Sequence, residues 1–297
     1  MPVLALVAAA AILGAGAVLV RNRRDLGASL LPPRVGRARA GVGGMSLLGL
    51  AFRLQRSTLT GWCVGAAAIG AVAGGLGPLA SEAVAGNASL QELISRLVPG
   101  TRAVVLDLFI TAMLGIAGVL AAAAGIQTVL RLRAEEVEGR AELLLAAPRS
   151  RARWLNATLV VAVASVLAVT ATAGAAAAIG IGLSGAGNGP AGLLVPAALA
   201  HVPAAAVFLA LTAVVFAATP RLCIPLGWGF LAAGLILGEF GDLLGLPVWL
   251  QDLSPFRHSS AMPIESFNPA GAVGMTIIAA AGTGLAAYLI RQRDLTA

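Results

Sequence analysis

The chain has 297 residues, 59% hydrophobic and 11% charged, with a mean hydropathy of +0.92 and a formal net charge of +7. Soluble domains carry about 45–50% apolar and about 25% charged residues, so this composition excludes an ordinary soluble fold and predicts an all-α, polytopic membrane protein. All 20 basic residues are Arg. Without Lys there is no Walker A loop and no kinase strand lysine, so any ATP that drives the protein binds a partner chain. Aromatics are only 4% and do not interleave with a basic stripe, which argues against nucleic acid as a partner. Cys63 and Cys223 lie in apolar stretches, and the clustered ligands of a metal site are missing. No metal or cofactor is expected on this chain.

A spanning helix needs about 20 mostly apolar residues. Seven stretches meet this, at roughly 3–20, 57–80, 103–128, 155–183, 191–218, 223–246 and 269–290. The first has no preceding positive charge and is followed by Arg21, Arg23 and Arg24, unlike a signal peptide. Residues 27–45 hold Pro32, Pro33 and scattered Gly and Arg, and read as an irregular cytoplasmic linker. In 46–56, Leu47, Leu50, Ala51 and Leu54 share a helical face away from Arg53 and Arg56. This predicts an amphipathic lead-in helix on the inner membrane surface, its Arg residues reaching anionic headgroups.

Glycines four apart recur at Gly61/Gly65, Gly70/Gly74 and Gly234/Gly238. Such spacing lets helix backbones approach closely in lipid, although an Ala/Gly-rich chain also produces it by chance. Residues 81–102 and 247–268 read as loops on the side opposite the Arg clusters. Segments 21–56, 131–154, 219–222 and 291–297 alternate to one side and hold seventeen Arg; Arg96, Arg102 and Arg257 fall on the other. The positive-inside rule then places the protein in the plasma membrane with its N-terminus outside and C-terminus in the cytoplasm.

Residues 131–154 are the longest polar stretch. Glu135, Glu136, Glu138 and Glu142 alternate with Arg131, Arg133 and Arg140, while Val137, Ala141 and Leu144 share a face. The pattern predicts a short amphipathic helix ending near Pro148, then Arg149, Arg151 and Arg153, with Trp154 at the interface. Charge retention alone needs no acidic cluster, so the segment reads as a docking surface in which charge pattern sets register.

Farther on, Glu239 and Asp242 stand near the outer end of the sixth stretch. Intramembrane carboxylates are functional candidates, here for an outer gate or re-entrant turn. Gly241, Gly245 and Pro247 equally predict that the helix is breaking, leaving both carboxylates at the interface. His201 suits a capping or packing role. Asn156, Thr158, Thr170 and Thr172 line a path or bond back to their own helix. Gly187–Gly192 fits a G-x-G-x-x-G string, but with no preceding strand it reads as a turn.

Residues 19–28 and 289–297 echo each other: an apolar helix, Arg-x-Arg, then Asp-Leu-x-Ala. A duplicated six-helix unit accounts for this. Residues 1–26 are then the last helix of a truncated first repeat, 27–45 the linker and 46–297 a six-helix unit. A seven-helix protein with a chance echo is the other account.

At 131–154 the residues Arg133, Glu135, Glu136, Gly139, Arg140, Glu142, Leu145, Ala146, Pro148, Ser150, Arg151 and Trp154 form a pattern. So do Asp252-Leu253-Ser254-Pro255-Phe256 with His258 and Pro263, and Leu50-Ala51-Phe52-Arg53-Leu54-Gln55-Arg56 with Gly61-Trp62. Together they resemble the type-2 permeases of actinobacterial ABC exporters, the class of polyketide-antibiotic and tetronasin exporters. Such permeases carry two six-helix halves, and this chain departs by beginning at the end of the first.

The resemblance implies a membrane permease subunit that moves hydrophobic drug-like compounds outward. An ABC ATPase subunit would dock on Arg133, Glu135, Glu136, Gly139, Arg140, Glu142, Pro148 and Arg151. A second permease half and membrane lipid are the other implied partners. The outer gate would comprise Glu239, Asp242, Asp252, Ser254, Pro255, Phe256 and His258.

Two other classes compete with this reading. An intramembrane enzyme lacks support, because His-Glu-x-x-His, Gly-x-Ser-x-Gly and Gly-x-Gly-Asp are all missing from the sequence. A non-transporting anchor or immunity subunit would use the same docking segment.

Overall fold

The computed structural model describes residues 46–87, 103–145, 150–184 and 191–293, together with helical positions at 11, 14–16, 18 and 19. The chain divides into two compact units, Met1–Val42 and Gly43–Ala297. In the first, Val18 and Leu19 are exposed; most of the 3–20 stretch and the 27–45 linker lie outside the described residues.

The described part of the second unit consists of helices joined by turns. It comprises α1 (Leu47–Ala85), α2 (Ala103–Val137), α3 (Arg140–Leu145), α4 (Arg151–Leu183), α5 (Ala191–Leu199) and α6 (Val202–Ala218). It continues with α7 (Cys223–Glu239), α8 (Val248–Gln251) and α9 (Pro269–Gln292), and single 3-10 turns cover Pro220–Leu222 and Pro255–His258. No strand occurs among the described residues. Six helical runs are long and apolar enough to cross a bilayer: Leu47–Ala85, Val105–Val137, Arg151–Leu183, Ala191–Ala218, Pro220–Glu239 and Pro269–Gln292. The protein is an all-α, multi-pass membrane protein.

Polar residues set the starts. Ser46 Oγ accepts from Gly49 N at 3.0 Å, Ser150 Oγ from Arg153 N at 3.3 Å and Asn268 Oδ1 from Ala270 N at 3.1 Å. Each satisfies an amide that has no intrahelical partner. Between the ends, Ala, Val, Leu and Ile dominate, so the backbone satisfies itself and apolar side chains face lipid or neighbours.

Three of the helices are longer than a membrane requires. α1 has 39 residues, α2 35 and α4 33; at about 1.5 Å per residue even α4 runs about 50 Å, against a hydrocarbon core of about 30 Å. The surplus lies at one end, where α1 starts, α2 finishes and α4 starts. It carries Arg53, Arg56, Arg131, Arg133, Arg151 and Arg153. This is the Arg-rich end.

α4 is the hub of the unit and packs on α1, α2 and α5. A Cβ at Gly70 or Gly74 of α1 would strike the Ala173 or Ala177 carbonyl of α4, and one at Gly180 would meet Gly75 N at 2.9 Å. Gly174 faces α5, where a Cβ would lie 2.7 Å from the Leu194 carbonyl. Burial in lipid gives no hydrophobic gain, so helices associate through close packing, and these glycines bring backbones into contact. Gly234 of α7 accommodates the Phe208 ring of α6, 2.5 Å from where its Cβ would sit. Gly61 and Gly65 have nothing within 4 Å. Two of the three Gly pairs are therefore packing devices, and the third is open.

Four boundaries differ from the sequence expectation. Residues 46–56 are not a separate surface helix but the first turns of α1. Their apolar face, Leu47, Leu50, Ala51 and Leu54, closes over a cleft lined by Glu135, Trp154, Ala157 and Thr158. A face with one hydrophobic stripe fits a protein wall as well as a membrane surface. The 131–148 segment is likewise not one helix: α2 runs on to Val137, and Gly139, with φ 70°, takes the left-handed conformation that ends it. The 191–218 stretch breaks at Ala200 and His201, between Pro196 and Pro203. The sixth stretch stops at Glu239, where Gly241 and Gly245 turn the chain.

Candidate functional site

At the Arg-rich end, α2 delivers Glu135 and Glu136 into the bundle rather than to solvent. Glu135 is 6% exposed. Its Oε2 accepts from Trp154 Nε1 of α4 at 3.1 Å, and its Oε1 lies 3.6 Å from Arg131 Nε. The Trp154 ring is 4% exposed and meets Phe216 of α6 edge-on at 6.1 Å. The expectation that Trp154 sits at a lipid interface is corrected: its indole N–H is drawn inward by a buried carboxylate, an obligatory pairing for a buried donor. Beside it, Gln55 Nε2 of α1 donates to the Thr128 carbonyl of α2 at 3.2 Å.

Glu136 is held by two cations. Arg293, at the end of α9, reaches its Oε1 at 2.5 Å, and Arg133, one turn back on α2, lies 3.6 Å from its Oε2. The same Arg293 guanidinium donates to the Phe216 carbonyl at 2.9 Å and lies 5.3 Å from the centre of the Phe216 ring. Its own carbonyl accepts from the Arg151 guanidinium of α4. One side chain thus joins the ends of α2, α6 and α9, and its backbone adds α4. The planar, forked donor set of Arg permits such multiple engagement.

Just beyond Glu136 the surface changes character. Val137, Glu138, Arg140 and Glu142 are exposed, with Val137 at 67%. Glu138 and Arg140 pair across the Gly139 turn, and Ala141 seats α3 against the core. Of the eight residues expected to dock a partner, Arg140 and Glu142 are exposed. Arg133 and Arg151 are half-buried and Gly139 forms the turn, while Glu135 and Glu136 point inward. Pro148 lies outside the described residues. An i,i+3/i+4 pattern of Glu and Arg is the same whether it faces water or a neighbour's counter-charges, so sequence spacing missed this division.

The opposite end is built from the 240–268 segment. Ser254 is fully buried; its Oγ donates to the Gly234 carbonyl at 2.7 Å and accepts from Phe256 N at 3.2 Å. Pro255 starts the 3-10 turn that inserts Phe256 against Phe208, with centroids 4.9 Å apart. His258 Nε2 lies 2.8 Å from the Asp252 carbonyl. Arg257 pairs with Asp242 at 3.0 Å and stands 3.9 Å from Asp252. The Gln251 amide, then Arg257, hold the Asp242 carboxyl below its ordinary value. Around this frame Leu243, Leu244, Val248, Trp249 and Leu253 are largely exposed.

Five of the seven expected gate residues thus share the 252–258 turn, and Asp242 is tied to it through Arg257. Glu239 stands apart, exposed at the last position of α7. The turn also grips the α5–α6 break, since Ser259 Oγ lies 2.9 Å from His201 Nδ1. His201 packs against Gly118 and makes no side-chain cap, so of the two roles expected for it packing is the one seen. Thr158, Thr170 and Thr172 donate to the Trp154, Val166 and Ala168 carbonyls of their own helix. Among the described residues no cluster of His, Cys, Asp and Glu could hold a metal ion.

Residues 45–291 match the family described as the C-terminal domain of the multidrug efflux system permease Rv1217c. A multidrug efflux system permease protein of Mycobacterium tuberculosis is 32% identical over 289 residues, 97% of this chain. The chain spans about half the length of that relative, 52%. The match begins one residue before the Ser46 cap of α1 and stops at Arg291 in the last turn of α9, covering the spanning helices and both ends described above apart from Arg293. By this match over most of its length, and with six apolar spans, the chain belongs to the family of multidrug efflux permease C-terminal domains.

Proposed function

We propose that this chain is the membrane permease part of an ATP-driven ABC efflux system that moves hydrophobic, drug-like compounds out of the cell. The carrying observation is the family match over 45–291 together with the similarity to a mycobacterial multidrug efflux permease. The Arg asymmetry supports a cytoplasmic position for the Arg-rich end. There the exposed tip Val137, Glu138, Arg140 and Glu142 stands ready for a separate ATPase subunit. Closure of that ATPase on ATP would press the tip and bias the membrane helices toward an outward-open state, through contacts that differ between the states. No ATP, metal or other cofactor is assigned to this chain itself. A second six-helix half would complete the cargo path. The resemblance to polyketide-antibiotic exporters makes large apolar polyketides the favoured cargo, and the segment 240–258 would close the outer exit.

The test is affinity capture of the tagged chain from native membranes in mild detergent, with dye efflux measured in parallel. An ATP-binding-cassette subunit is expected in the eluate, and reversal of Glu138 and Glu142 to Arg should remove it while the protein stays monodisperse. Capture that survives the reversal would exclude the tip as the docking surface. A wild-type eluate without any ATPase would overturn the exporter reading.

A further inference from the structure

The most elaborate polar contact in the molecule lies outside the exposed tip. Glu136 stands three residues before Gly139, where α2 ends and the tip turns. It is only 7% exposed at its side chain, and Arg293, at 17%, spans from it to the Phe216 carbonyl. A buried charge pair is not needed to hold helices together; well-packed apolar residues do so at least as well. This pair lies where the tip meets three membrane helices, and its two cations are unequal. Arg133 approaches Glu136 along the same helix at 3.6 Å, whereas Arg293 arrives from α9 at 2.5 Å. Glu136 Oε2 and the neighbouring Arg131 Nε make no hydrogen bond. If Arg293 withdraws, Arg133 can close on Glu136 and the carboxylate keeps a partner. The arrangement can therefore exchange partners without stranding a buried charge.

We infer that Arg293 is a positioning residue that rivets the tip of α2 to the last membrane helix, with Glu136 as its seat and Arg133 as the alternative partner. Displacement of the tip is delivered through Arg293 to α9 directly, to α6 through the Phe216 carbonyl and to α4 through Arg151. This inference rests on the exporter reading for what pushes the tip. The rivet itself is testable without any ATPase.

A spin label at Glu142→Cys, in the full chain with Cys63 and Cys223 replaced by Ala, reports tip mobility in liposomes. A second label at Leu243→Cys, 82% exposed at the opposite end, serves as control. Arg293→Ala should enlarge the mobile component at 142 roughly twofold and leave 243 unchanged, because only the local pair is lost. Arg293→Lys, which keeps the charge but not the fork, should fall between. Glu136→Ala should also loosen 142, and Glu136→Ala combined with Arg293→Ala should loosen it no more than Arg293→Ala alone, as coupled partners do. An unchanged spectrum at 142, equal loosening at both labels, or additive loosening in the double variant would each overturn the rivet.

With the ATPase present, Arg293→Ala should still capture it but lose efflux roughly tenfold, since the push is no longer transmitted. Full efflux by that variant would also overturn the inference. If the wild-type chain captures no ATPase, the exporter reading fails, and the labels still decide whether the rivet exists.

Discussion

The two ends of the bundle solve different problems with the same few polar residues. At the Arg-rich end, Glu135 and Glu136 are buried carboxylates that bind helices to one another. At the opposite end, Asp242 and Asp252 are exposed around Arg257, and the burying is done by Ser254 and Phe256. Charges are internal where the helices outrun the membrane and external where a turn folds back on the helix ends. An ion pair can be drawn inside only where several partners converge to satisfy it. At the far end a neutral hydroxyl serves, since it costs less to bury.

Five substitutions sharpen that contrast, taken from the largest effect down. The first sets a baseline for the packing both ends depend on. Gly74→Leu should abolish the folded monodisperse protein, because a side chain there meets α4 backbone, while Gly65→Leu, in open space, should be tolerated; size exclusion in detergent reads both. Next, Glu136→Ala should lower stability by about 3 kcal/mol by unpairing Arg293, seen as a fall in the thermal midpoint. An unaltered midpoint would mean that Arg293 finds equal solvation elsewhere.

A smaller loss, about 1–2 kcal/mol, is expected from Ser254→Ala, which orphans the Phe256 amide and removes the second donor to the Gly234 carbonyl. The same assay should separate it from Glu136→Ala. The least effect belongs to Asp242. Its folded value is depressed below the ordinary 3.8, so its contribution is present above that value and is lost as pH falls through the depressed one. Asp242→Asn should therefore lower the midpoint slightly near neutral pH and leave it unmoved once the pH is below the depressed value, and an acid titration of Arg257 side-chain mobility should show release only below the ordinary carboxylate range.

Much was legible before any fold was known. Composition and the seven apolar stretches gave a multi-pass helical protein, and the Gly70/Gly74 and Gly234/Gly238 spacings marked contacts that the helices do make. The Gly241, Gly245 and Pro247 cluster marked the end of the sixth span at Glu239. The Asp252–Phe256 string picked out a turn whose residues do assemble. What misled was periodicity at 46–56 and 131–148. At 46–56 a striped face was read as meeting lipid and it meets the bundle; at 131–148 the whole segment was read as a docking surface, and Glu135 and Glu136 turn into the bundle instead.

Arg293 was visible only as part of a terminal basic echo. Its function depends on Glu136, 157 positions away, and no local pattern carries that separation.

Hydropathy and glycine spacing by themselves determined that this chain crosses the membrane repeatedly and where its helices can touch, because both are properties of a single helix and its solvent. Which charges point inward, which remain at the tip and which helix ends share one Arg were decided only by tertiary structure. A carboxylate's orientation is fixed by whichever counter-charge reaches it at least cost in desolvation, and that partner is supplied by other helices.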